Sequence, residues 1–72
     1  MASQLTLDQE TVARSALSKS PIFCLREIAV SHDGDCLLLS GRVPSFYYKQ
    51  LAQEVVRAVT DEIQVVNDVN VD

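Results

Sequence analysis

The ionisable chemistry of this sequence gathers at one short stretch, "SHDGDC", where His32 stands with Asp33 and Asp35. An imidazole beside two carboxylates is the material of general acid–base catalysis, which needs a positioned and partly buried group. These three residues flank Gly34 at what reads as a hairpin tip, where side chains are solvated. No nucleophile adjoins them, and Ser40 and Ser45 stand in no triad context. No catalytic residue is assigned, and the chain is not expected to be an enzyme.

Cys24 and Cys36 are the only two cysteines. A disulfide, a metal pair and plain packing compete for them. Zinc would need a fuller ligand set than two thiols and His32. A free cysteine otherwise behaves as a small hydrophobe. No metal and no cofactor are expected.

Composition narrows the partners. The chain has six basic and ten acidic residues, for a net charge of -4. A nucleic-acid surface would be basic, so nucleic acid is not an expected partner. Attraction to anionic lipid needs clustered Lys and Arg, and here they are scattered. The hydrophobic fraction of 47% argues for a folded core. A chain of 72 residues makes one domain, spanning residues 1–72. At that size only about 60% of the unfolded surface is buried, so stability is marginal and a partner subunit is a common remedy. The start, "MASQLTLDQE", has neither a basic segment nor an apolar run of signal-peptide type, and no window reaches the length of a membrane span. The expected location is the cytoplasm.

Five elements must position these residues. A helix is expected from Leu7 to Lys19, with Thr6 as N-cap, Gln9 completing a capping box and Leu5 adding contacts at its start. Its apolar stripe is Val12, Ala13, Ala16 and Leu17, and Ser20-Pro21 ends it. Then "FCLREIAVSHDGDCLLLSGRV" reads as a hairpin turning at Asp33-Gly34, a type I′ signal. That register pairs Val30 with Leu37, Ile28 with Leu39, Arg26 with Gly41 and Cys24 with Val43. It sets the two cysteines on opposite faces and far apart, against a disulfide. A second helix runs from Ser45 to Val59, with Tyr48, Leu51, Ala52, Val55 and Val59 inward. A strand from Ile63 to Val71 closes the chain. The expected fold is α+β, an α-β-β-α-β chain. Its three-stranded mixed sheet has order 1-2-3, and two helices pack on one face as an α/β sandwich.

The stretch "LLLSGRVPSFYYKQLAQEVV" followed by "IQVVNDVNV" resembles the BON domain family. That family shows an apolar strand ending in Leu-x-Gly-x-Val, a Pro-Ser turn, a helix with a central Ala, and a closing Val-Val-Asn strand. Here these fall on Leu39, Gly41, Val43, Pro44, Ser45, Ala52, Val65, Val66, Asn67, Val69 and Val71. The chain looks most like short stand-alone bacterial BON-domain proteins of planctomycete type. It departs from them in the "TDEI" stretch, where the family often has a glycine before the last strand. The resemblance implies a non-enzymatic module that binds phospholipid or other proteins.

The remaining candidates concern contact rather than chemistry. Gly41 is expected to let a helix approach the sheet, and Asn67 to tie a turn or helix end. Leu25, Ala29, Cys36, Leu38 and Val66 are expected to look outward together from the uncovered sheet face. A contiguous apolar patch of that kind marks an interface. Arg42, Phe46, Tyr47 and Lys49 form its second candidate margin, at the start of the second helix. The expected function is binding another protein or a second copy, as a homo-oligomer. Peripheral phospholipid binding is the alternative.

Overall fold

The computed structural model describes residues 8–72. Helix α1 spans Gln9–Ser18, a short helix α2 spans Phe23–Arg26, and α3 spans Phe46–Val59. The strands are β1 (Ala29–Asp33), β2 (Cys36–Val43) and β3 (Gln64–Val71). They form one sheet in the order β1-β2-β3. Strand β2 runs antiparallel to β1 and parallel to β3, which is the layout the sequence predicts.

The apolar alternation of β2 explains its central place. Leu37, Leu39 and Val43 are fully buried, whereas Cys36, Leu38 and Ser40 between them are half-buried. The buried set joins Val30 of β1 and Val69 of β3 below Ala13 and Leu17 of α1 and Ala52 and Val56 of α3. One core therefore lies between the helix layer and one face of the sheet. The other face of the sheet has no layer over it among the described residues.

Three expectations change. The segment before β1 is not a strand. Ser20 Oγ accepts the Ile22 amide at 3.1 Å, and Leu25 and Ile28 amides return to the Ile22 and Leu25 carbonyls. Ile22, Leu25 and Ile28 thus recur every three residues, a helical spacing, and burying Leu25 completely favours the helical turn over a longer strand. Arg26 and Cys24 consequently have no partners in the sheet, and the pairings with Gly41 and Val43 do not form.

The hairpin turn also slides. Val30 pairs with Leu39 and Asp33 with Cys36, leaving Gly34 and Asp35 as the two turn residues. Gly34 has φ 62, and Asp35 is not among the residues with positive φ. Glycine at the first turn position with only that φ positive is the II′ pattern, not I′. The slide is two residues, so every side chain keeps its predicted face.

The inward stripe of α3 is rotated at its end. Val56 is fully buried, while Val59 is 42% exposed. Val59 instead rims a shallow groove with Val12 and Ala16 of α1. At the chain start, Leu5, Thr6 and Leu7 lie outside the described residues. Asp8 is the N-cap of α1 and makes no side-chain cap bond.

Candidate interaction surfaces

His32 meets a carboxylate other than the two beside it in sequence. His32 lies on the helix side of β1, one step beyond Val30, and its Nε2 stands 3.1 Å from Asp8 Oδ1 at the start of α1. Asp33 and Asp35 are exposed and take no part in that contact. Glu10 completes a group with Asp8 and His32 whose ligand atoms lie within 4.8 Å of one another. Arg14, one turn on, already holds Glu10 and donates to the Val30 carbonyl at 3.3 Å. The cluster is a solvent-facing polar seam joining α1 to β1. Sequence order hides it, since Asp8 and His32 are 24 residues apart. The signal was available in the alternation, because His32 shares the inward parity of Val30.

Close approach of a helix is not what calls for glycine at position 41. Its Cα faces the backbone where α2 runs into β1. A Cβ there would lie 3.5 Å from Ile28 Cα and 3.6 Å from the Glu27 carbonyl oxygen, an ordinary contact distance. What restricts the position is its φ of 141, in a region side chains rarely adopt.

Asn67 acts as a clamp between β3 and α3. Its Nδ2 donates to the Lys49 carbonyl at 2.8 Å and to Gln53 Oε1 at 3.2 Å. Its Oδ1 accepts the Val69 amide at 3.2 Å. A half-buried amide on an otherwise apolar face is thereby satisfied at every end. Pro44 and Ser45 lead into α3 as expected. Ser45 is the N-cap residue in extended conformation, but its hydroxyl makes no cap bond.

The predicted contact residues separate into distinct places. Ala29, Leu38, Val66 and Arg42 lie on the uncovered sheet face with Cys36. Leu38 pairs directly with Val66, which is 38% exposed. Ser31, Ser40, Asp68 and Asn70 surround this small apolar centre, and Arg42 reaches Asp72 at 3.3 Å. Leu25 is a correction. Instead of joining that face, it is wholly buried in α2, because the helical turn points it into the core.

Phe46 and Tyr47 are both exposed, at 65% and 67%. Tyr48 packs half-buried against the core and edge-on to Tyr47, with ring centroids 5.2 Å apart. Phe46 and Lys49 line a groove of about 340 Å³ between α3 and β3, with Gln53, Arg57 and Asn67. Tyr47 borders a separate depression on α3 beside Leu51. The four margin residues therefore do not form one patch.

Both cysteines are free and half-buried. Cys24 packs against the core, and Cys36 lies on the uncovered face beside Gln64. No helix among the described residues is long and apolar enough to cross a membrane. Compared with known proteins, the chain matches no family model, no curated protein and no solved structure.

Proposed function

We propose that this chain is a non-enzymatic binding module of BON type that holds another protein through the uncovered face of its sheet. The observation that carries the reading is the asymmetry of the sheet. Leu37, Leu39, Val30 and Val69 are sealed under the helices, while Leu38 and Val66 pair side by side on the opposite face with no layer above them among the described residues. A small domain that leaves paired aliphatic residues uncovered, ringed by hydroxyl, amide and charged groups, has the composition of an interface centre with a polar rim. The His32 cluster favours no competing catalytic reading, since its half-buried Glu10 is engaged by Arg14 and its Asp8 and His32 are open to water.

The test compares the wild type with a Leu38→Asp/Val66→Asp double variant, after circular dichroism has shown both folded. Each is used to capture partners from lysate, and any captured protein is purified and titrated back. The reading predicts that the double variant binds the purified partner at least about tenfold more weakly, a loss of about 1.4 kcal/mol. Equal binding by both proteins would contradict it. Cosedimentation with anionic vesicles, lost at high salt, without any protein partner would favour the phospholipid alternative instead.

A further inference from the structure

The exposed edge of β3 carries a second inference, on a surface separate from the sheet face. The Asp72 amide donates to the Val43 carbonyl at 3.0 Å, so the even-numbered backbone groups of this strand face β2. The Val69 amide instead meets its neighbour's side chain, Asn67 Oδ1. Both facts place the backbone groups of Val65, Asn67, Val69 and Val71 on the free edge. Apart from the Val69 amide, that row has no partner among the described residues.

Proteins blunt such edges with Lys, Pro, a bulge or a covering segment. Strand β3, "QVVNDVNV", has neither Lys nor Pro, and it pairs with β2 residue for residue over eight positions with no bulge. The opposite edge is treated differently. Strand β1 is five residues long, and Arg14 of α1 covers its Val30 carbonyl.

We propose that β3 is a self-pairing edge. Two copies of this chain join β3 to β3 antiparallel about a two-fold axis at Asn67, forming a six-stranded sheet in which Lys49 of each copy faces the partner's Glu54. Two-fold pairing requires a surface that complements itself, and the groove beside the edge does. Its α3 wall reads Phe46, Lys49 and Gln50, then Gln53, Glu54 and Arg57. Asn67 bonds to both Lys49 and Gln53, so it lies level with the middle of that row. Reversed about this level, Lys49 meets the partner's Glu54, Gln50 the partner's Gln53, and Phe46 the partner's Arg57, a cation over a ring.

On the strand, the same axis sets Val65 opposite the partner's Val69 and keeps both helix layers on one side of the sheet. An axis one residue on would oppose two Asp68 carboxylates. The Val69 amide exchanges its bond to Asn67 Oδ1 for the partner's Val65 carbonyl, one hydrogen bond for another and nearly neutral. The ladder then supplies affinity, and the charges fix the register.

Sedimentation equilibrium on the full chain from about 1 μM to about 1 mM tests this, since that range spans binding of about 8 to 4 kcal/mol. The wild type dimerises. Lys49→Glu and Glu54→Lys each raise the dimer dissociation constant about tenfold or more, and combining the two restores it to within about threefold of wild type, because reversing both charges re-creates the pair. Leu38→Asp leaves the dimer unchanged, so a failure here leaves the sheet-face reading standing. A wild type monomeric throughout, a dimer indifferent to the single reversals, a combined variant that stays weak, or a dimer lost with Leu38→Asp alone would overturn the proposal.

Discussion

Gly41 and Glu62 both hold backbone angles that side chains resist, and substitution should move stability in opposite directions at the two. Gly41 sits at φ 141 in the central strand, paired with Val69 of β3. Gly41→Ala should cost about 1–3 kcal/mol, the usual range for a side chain forced into a sparsely populated backbone region. Glu62 is the only non-glycine residue with positive φ among those described, at 47, and it is exposed in the "TDEI" stretch. Glu62→Gly relieves that angle, which costs a side chain roughly 1–2 kcal/mol, against the extra entropy glycine adds to the unfolded chain. The net expectation is a gain of about 0.5 kcal/mol, or roughly 2–4 °C in Tm for a domain of this size. Thermal unfolding of the two variants checks both signs, and a Glu62→Gly variant less stable than wild type would contradict the strain argument.

Among the elements, β2, α3 and β3 were legible because each carries apolar residues at a regular spacing over most of its length, broken in β3 only at Val66 and Asn67. The apolar run "CLLL" before Ser40-Gly41 and the helical recurrence of Tyr48, Leu51, Ala52 and Val55 leave little room for another structure, although Val56 and not Val59 completes the inward stripe. Helix α2 was not legible. At four residues it is shorter than any periodic window, and Phe23–Arg26 alternates as well as a strand would. Only the burial of Leu25 decides it, a tertiary fact. The turn at Gly34 was half legible: glycine marked its place, but which two residues form it depends on the II′ angle. Asn67 as a clamp could be anticipated from an amide on an apolar face. The link from α1 to the end of α3 could not. Gln9 Nε2 donates to the Asp61 carbonyl at 3.3 Å, and its Oε1 accepts the Asp61 amide at 3.2 Å, across 52 residues of chain. This two-point contact fastens the first turn of α1 where a capping box was expected. Gln9→Ala should cost about 1 kcal/mol, the low end for two exposed hydrogen bonds. It should also speed amide hydrogen exchange in α1 while leaving β2 unchanged. Equal acceleration across the whole chain would mean that α1 does not open separately.

At the scale of the whole fold, one sheet face packs on the core and the other has no layer over it among the described residues. Leu17, Leu25, Leu37, Leu39, Val43, Val56 and Val69 fill the space between the layers, so variants on the uncovered face should not disturb folding. Pairing through β3 would set two such faces side by side in one continuous sheet, without using the residues proposed to meet a partner. The molecule contains its own reporter for that face. Cys36 lies on it, half-buried and free, whereas Cys24 packs against the core on the helix side. Alkylation of the two thiols, followed by mass spectrometry in the free chain and in the complex with its captured partner, tests the central claim most directly. The account predicts that Cys36 labelling slows about tenfold or more in the complex, since a covered thiol is inaccessible to reagent, while Cys24 keeps its rate. Cys36 reacting in the complex as fast as in the free chain would contradict it.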